Sequence, residues 1–446
     1  MPRSSVPPLA SHAPPLGALL RQYAAGSALT CDPVDQGLLN RGYRLATTRG
    51  DYFLKHHFDP ETADPAAIAR QHRATQRLAD LGVPVAPPLP GRDGRTVAVV
   101  GGHAYALHPW IDGRHRHGGQ LSTVQCGRLG ALLGVVHASL ERVMPTRGRA
   151  PGEQGGDERE DEAAGQPAPQ AVPAGRGRTP EHGIQWGQAG HEEATGRPGT
   201  AARRRDATRQ SRFTDRSRAH TFAEALVKTP VPRTTVEPPP PADARPHAPR
   251  TAAEPLQALS ADPADTFALI DDLLARVRRH RPTDAFDELA RHRLLERRTL
   301  LEQHADRRPP PGGSVGWVHG DFHPFNLLYK GDAPAAIVDW DRLGVQPRVE
   351  EAVRAAAIFF VRPTGTLDLP KARAYACAYR RTAGATPSEL AAAVHRVWWE
   401  RLNDFWMLRW HYERGDTRAD SQFPAASALA VWWTREYDAV REAFVD

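Results

Sequence analysis

Cysteine is nearly missing from this sequence. The three present, Cys31, Cys126 and Cys377, are far apart and lack CxxC spacing, so neither a disulfide framework nor a zinc site is indicated, and a reducing compartment fits. Long apolar runs are also missing. No stretch approaches the roughly 20 residues that a membrane span needs, and the opening MPRSSVPPLASHAPPLGALL has no unbroken apolar core of the secretory kind. Excess charge is small. The formal net charge of +6 suits a soluble surface or a bias toward phosphate ligands better than a nucleic-acid footprint. These absences predict a soluble cytoplasmic protein, a monomer or weak dimer, with neither membrane nor nucleic acid as partner.

Proline and glycine, in contrast, are plentiful for a packed enzyme, at 41 and 37 of 446 residues, and they are unevenly spread. From Pro15 to Val143 helical and strand patterns alternate. LGALLRQYA and AAIARQHRATQRLADLG read as amphipathic helices, GYRLATTRGDYFLKHHF as a hairpin, and TVAVVGGHAYALHPWIDG as a second hairpin turning at Gly101-Gly102. Residues 146–252 differ in kind: GEQGGDEREDEAAGQPAPQ and EPPPPADARPHAPR hold too few large apolar side chains to offset about 1–2 kcal/mol per residue of backbone ordering. That segment is predicted to be a disordered insertion. Helical periodicity returns from Asp262, and four or five helices rich in Ala and Trp follow the last strands. The expected fold is α+β, with a small sheet lobe at 15–110 after a flexible 1–14, and a larger helical lobe from 111–145 and 253–446, a cleft lying between the lobes.

Chemistry concentrates in WVHGDFHPFNLLYKGDAPAAIVDWDRLG, Trp317 to Gly344. VHGDFHPFNLLY reads as strand, tight loop, strand, with Gly320 allowing a backbone that a side chain would block. Asp321 and Asn326 then project from one short loop, and Asp339 emerges at the tip of the apolar strand IVDW. Two hard oxygen donors, Asn326 and Asp339, suit Mg²⁺, which accepts a few protein oxygens beside phosphate and water. Asp321 is spaced to take a proton from a substrate hydroxyl and aim that hydroxyl at a γ-phosphorus.

HGDFHPFN followed by IVDWD resembles the aminoglycoside phosphotransferase-like family of small-molecule kinases, which also contains choline and homoserine kinases and shares the protein kinase-like fold. The resemblance covers most of the chain outside the insertion. It implies that Asp321 is the catalytic carboxylate, that Asn326 and Asp339 bind magnesium, and that His319 supports the loop, with His323 as a loop histidine near substrate or phosphate. Lys55, at the end of an alternating strand, matches the lysine that pairs with the α and β phosphates of ATP, or of GTP. Gly37 and Asn40, in DQGLLNRGYRL, occupy the nucleotide-loop position, and the stretch from Leu107 to Trp110 occupies the adenine-binding hinge. One departure stands out: Gln71 falls where the family's helix offers Lys55 a glutamate. Gln71 could hydrogen-bond Lys55, and either Glu61 or Asp64 supplies the missing charge or phosphate alone holds the lysine. Asp341 is open between a supporting anion and a partner of Arg342 or Arg348. The implied activity is transfer of a γ-phosphoryl group to the hydroxyl of a small acceptor, an aminoglycoside, amino alcohol or similar metabolite. The rival is a catalytically inactive nucleotide-binding relative with a scaffolding or regulatory role.

Overall fold

Five antiparallel strands form the first sheet, in the order β1-β2-β3-β5-β4. They are β1 (Ala28–Val34), β2 (Arg41–Thr47), β3 (Gly50–His57), β4 (Ala98–Val100) and β5 (His103–Pro109). This computed structural model describes residues 14–34, 40–58, 64–144 and 260–446, all in one compact unit. The segment predicted as a disordered insertion, together with Gly37 and Glu61, lies outside the described residues. Both expected hairpins are present. β1 escapes the period-2 reading because it is an edge strand, mostly exposed on both faces and carrying Pro33, which only an edge tolerates. Leu45, Leu54, Ala98, Tyr105 and Leu107 of the sheet bury against Leu19 and Tyr23, the former on helix α1 (Leu16–Gln22), as one apolar cluster.

Helix α2 (Pro65–Asp80) begins where Asp64 accepts from the amides of Ala66 and Ala67 at 3.1 and 3.0 Å, with Pro65 in its first turn. Its buried face carries Ile68, His72, Thr75 and Leu78. The far end of α2 joins the second core: Leu78 and Val83 pack among the helical residues, and Pro84 accepts from the Ile337 amide at 2.8 Å. The sheet is thereby tied to the strands that carry the motif residues.

Helix α3 (Thr123–Val143) starts at a Ser122/Gln125 capping box and lies against α7 (Leu369–Ala383). The approach is close because Gly130 and Gly134 face that helix. A Cβ at either would sit 2.0 Å from the Tyr375 carbonyl or 1.9 Å from Thr382 Oγ1. Helices α4 (Pro263–Arg279) and α5 (Ala285–His304) follow, then two short ribbons: β6 (Val315–Val318) with β9 (Gly344–Pro347), and β7 (Leu327–Lys330) with β8 (Ala333–Ile337). After β9 come α6 (Arg348–Phe360), α7, α8 (Pro387–Asn403), the short α9 (Trp406–Arg409) running into a π-helical turn (Trp410–Arg414), α10 (Phe423–Arg435) and α11 (Tyr437–Val445).

The four or five helices expected after the motif block become six among the described residues, because one helical pattern is broken. Trp399, Leu402, Trp406 and Trp410 read as a single stripe, but α8 stops at Asn403, Asp404 is extended, and the helix restarts at Trp406. Trp399 and Leu402 are core residues beside the buried Trp398 and Trp433. Trp406 and Trp410 pack edge-on against each other, 5.1 Å between ring centres. Among the described residues no helix is long and apolar enough to cross a membrane.

Candidate active site

The loop leaving β6 is fixed from behind. Gly320 has φ +84°, and a Cβ there would lie 2.1 Å from the Arg342 carbonyl oxygen, so glycine is required by both conformation and space. Its amide donates to Glu351 Oε1 at 2.5 Å. The other oxygen of Glu351 meets His137 Nε2 at 2.7 Å, and His137 Nδ1 meets the Tyr379 hydroxyl at 3.0 Å. All three side chains are buried. Burial would raise the Glu351 pKa, but the His137 bond and neighbouring charges outweigh it and the carboxyl is held low. Sequence reading missed this chain, because Glu351 and His137 lie on α6 and α3, far from the motif in sequence and without a spacing that links them.

His319 is fully buried. Its Nε2 bonds the Val338 carbonyl at 3.0 Å, its Nδ1 accepts from the Asp321 amide at 3.2 Å, and Trp340 lies 4.6 Å from its ring. Burial lowers its pKa, so a neutral imidazole braces the loop to the strand. Asp321 is 35% exposed, with His323 Nε2 at 3.5 Å and Arg342 Nε at 3.9 Å from Oδ2. Desolvation pushes its pKa up, yet the His323 hydrogen bond and the nearby Arg342 charge outweigh it and the carboxyl is lowered. It is ionised and partly open to solvent.

Asn326 is buried and its side-chain nitrogen is engaged, donating to the Asp321 carbonyl at 2.9 Å and lying 3.3 Å from His323 Nε2. That leaves the amide oxygen as the atom it can offer a cation. Its own carbonyl accepts from the Val338 amide at 3.0 Å, which sets Asn326 beside the residue preceding Asp339. Asp339 has φ +61°, a left-handed conformation that aspartate tolerates better than most residues.

Lys55, on β3, reaches this point with 11% of its side chain exposed. Its ammonium is 2.7 Å from Asp339 Oδ1 and 2.7 Å from Asp341 Oδ1. Burial would lower the lysine pKa, but the two carboxylates reverse that and raise it. For Asp339 desolvation opposes the charge and Lys55 overrides it, so the carboxyl is held low. Asp341 is pushed up by burial, with the Asp339 charge adding to it against Lys55. Two carboxylates thus compete for one ammonium, leaving an excess of negative charge at the tip of β8.

Asp341 resolves the departure on α2. The carboxylate facing Lys55 comes from the strand tip, and Gln71 does not bond the lysine: its amide nitrogen donates to the Asp341 backbone carbonyl at 2.8 Å. Asp64 is occupied as the cap of α2, and Arg348 pairs instead with Glu141 at 2.9 Å. Asn40 bridges the same point, its nitrogen donating to Asp341 Oδ2 and its oxygen accepting from the Phe58 amide. The signal was present in Asp-Trp-Asp: both carboxylates meet Lys55 while Trp340 between them is buried. At the hinge, the Leu107 side chain is in the sheet core, its carbonyl accepts from Leu89 at 2.7 Å, and the Trp110 amide donates to Asp51 at 3.1 Å. The Arg44 guanidinium covers the Trp110 ring at 4.8 Å.

The donor set at the β8 tip fits a magnesium ion: two hard oxygen donors, Asn326 Oδ1 and the Asp339 carboxylate, beside uncompensated negative charge and little that is soft. The arrangement sets a lysine that can grip a polyanion beside oxygen donors that suit a divalent cation, with the half-exposed Asp321 carboxylate on the same loop as Asn326.

The sequence profile described as the phosphotransferase enzyme family matches residues 30–182 and 161–385. Homoserine kinase of Acidiphilium cryptum is 29% identical over 140 residues, 31% of this chain and 43% of that protein. Homoserine kinase of Burkholderia ambifaria is 32% identical over 98 residues, 22% of this chain and 29% of that one. The chain therefore aligns with less than half the length of these curated relatives. Among solved structures, a microcompartment-associated aminopropanol kinase is 15% identical with a TM-score of 0.47, covering 96% of this chain and 97% of that one. An aminoglycoside phosphotransferase from Alicyclobacillus acidocaldarius is 12% identical with a TM-score of 0.46, covering 99% and 96%.

Proposed function

The chain belongs to the phosphotransferase enzyme family, and from that premise we propose that it transfers the γ-phosphoryl group of ATP to a hydroxyl of a small molecule. The observation that carries this reading is the meeting of Lys55 with Asp339 at 2.7 Å, next to the Asn326 amide and the Asp321 loop. Lys55 binds the α and β phosphates, exchanging Asp339 for phosphate oxygens while Asp341 stays beside it. Asn326 and Asp339 would hold magnesium, which would supply positive charge to the phosphate chain. Asp321 accepts a hydrogen bond from the acceptor hydroxyl and lines its oxygen up with the γ-phosphorus. Its lowered pKa makes it a weak base, which suffices when the transition state is loose and the hydroxyl loses its proton late. Catalysis then rests on positioning and charge neutralisation. The Leu107–Trp110 backbone and Asn40 border the adenine and phosphate ends of the nucleotide.

A helix without a glutamate for Lys55 would favour the inactive-relative reading, and Asp341 beside the lysine supports the catalytic one instead. The curated relatives named homoserine kinase make an amino alcohol or hydroxy amino acid the first acceptor class to try. The test is phosphate transfer from labelled ATP and GTP to a panel of homoserine, choline, ethanolamine, aminoglycosides and sugars, with Mg²⁺ and with EDTA. Labelled product from one class, lost in EDTA and in Asp321→Asn, supports the proposal. Tight Mg-ATP binding with no transfer to any acceptor and no ATP hydrolysis would count for a binding protein instead.

A further inference from the structure

Away from that site, the α4–α5 turn and the π-helical turn bring His280, Asp287 and His411 together, one potential ligand atom from each lying within 4.8 Å of the others. Cysteine spacing gives no hint of such a centre, and the histidines are separated by more than a hundred residues of sequence. We propose that these three side chains form a binding site for a divalent transition-metal ion, zinc by ligand chemistry, with two imidazoles, one carboxylate and a remaining position for water.

The surrounding bonds are those a metal site needs. Asp287, 1% exposed, is aimed by the Tyr412 hydroxyl at 2.6 Å and the Asp284 amide at 3.1 Å, and it faces His280 Nδ1 at 2.9 Å. An ion replaces the proton shared there. His411 gives Nδ1 to Asp420 Oδ2 at 2.8 Å, which leaves Nε2 as the ligand atom and supplies the outer carboxylate that orients metal-bound histidines. The ring is held against Phe286, 4.3 Å between centres. The second oxygen of Asp420 is buried with no hydrogen-bond partner among the described residues, an orphan of the kind that a nearby ion or its water explains. His280 is 39% exposed on its side chain, so an ion can enter from solvent. The π-helical turn that carries His411 is itself a geometry concentrated at functional sites. Bound metal would join the start of α5 to the π turn and thereby stabilise the folded state.

The test uses the full chain, stripped with EDTA and titrated with Co²⁺ and Zn²⁺ alone. One equivalent of Co²⁺ should give the intense visible absorption of a low-coordinate cobalt site, Zn²⁺ should displace it, and Zn²⁺ should raise the Tm. His411→Gln and His280→Gln should each abolish the band while the metal-free Tm stays near that of the parent. Asp420→Ala should weaken Co²⁺ by about 10–100-fold, the usual effect of losing an outer carboxylate. No band at excess Co²⁺, or a band that survives in both histidine variants, overturns the proposal and leaves an ordinary His–Asp ion pair.

Discussion

Behind Lys55 stand three histidines that the fold holds neutral, and they set an acid limit on stability. His57 is 2% exposed and neither ring nitrogen has a hydrogen-bond partner among the described residues. Burial first, and then the Lys55 charge, lowers its pKa from 6.5 to about 2. His72 falls to about 3 and His108 to about 4, again chiefly through burial. The unfolded chain takes up these protons as pH falls through 6.5, whereas the folded chain refuses them. Stability is therefore complete above 6.5 and declines below it, by about 1.36 kcal/mol per pH unit for each ring. Between pH 7.5 and 5.0 each histidine should cost about 2 kcal/mol, so the three together approach the scale of a domain's whole stability, about 5–15 kcal/mol. Glu350 works in the opposite direction: burial lifts its pKa to about 7, and the folded state gains as it protonates over the same range. The clean measurement is consequently a difference. Urea unfolding of the parent and of His57→Leu at pH 7.5 and 5.0 should show the variant losing about 2 kcal/mol less over that interval. At pH 7.5 the variant should be no less stable, since an unpartnered buried polar ring is replaced by an apolar side chain. Parallel losses in the two proteins would refute the argument and mean that His57 is protonated, or hydrated, in the folded state.

Other outcomes follow from the site. Asp341→Asn should lower kcat/KM for ATP by roughly 10–100-fold, because Lys55 loses its more buried carboxylate. Gln71→Glu in that background should recover part of the loss if charge beside Lys55 is what matters, and steady-state kinetics of the two variants decide it. Asp321→Ala should cut kcat by roughly 10²–10⁴ with an unchanged Tm. Asp339→Asn should remove magnesium-dependent turnover while far-UV circular dichroism stays that of the parent. Gly320→Ala should be inactive and less stable by about 3 kcal/mol or more, since its Cβ would strike the Arg342 carbonyl. A Gly320→Ala variant with parental activity would contradict the packing of the loop.

The sequence revealed most where local chemistry decides structure. The hairpins and the spacing of Asp321, Asn326 and Asp339 are all written within windows of a few residues. What escaped it depends on contacts between distant segments. The Lys55–Asp341 pair joins positions 286 residues apart, and the Glu351–His137 support reaches across 214. Neither has a local signature, because a buried ion pair can be assembled from any two elements that the core brings together. The break at Asp404 escaped for another reason: an apolar period that continues on both sides of a kink hides the kink. Edge strand β1, with little burial on either face, had no pattern to read.

The pairing of Lys55 with the strand tip bears on how such an enzyme could be throttled. Where a lysine depends on a glutamate carried by a mobile helix, swinging that helix outward strips the charge and silences the enzyme. Here, among the described residues, the hydrogen bond from α2 to the same point is that of the Gln71 amide to a backbone carbonyl. At this point a displacement of α2 would break one neutral hydrogen bond and leave the ammonium beside Asp339 and Asp341. On the proposed function, that architecture suits a constitutive catalyst better than one gated by a moving helix.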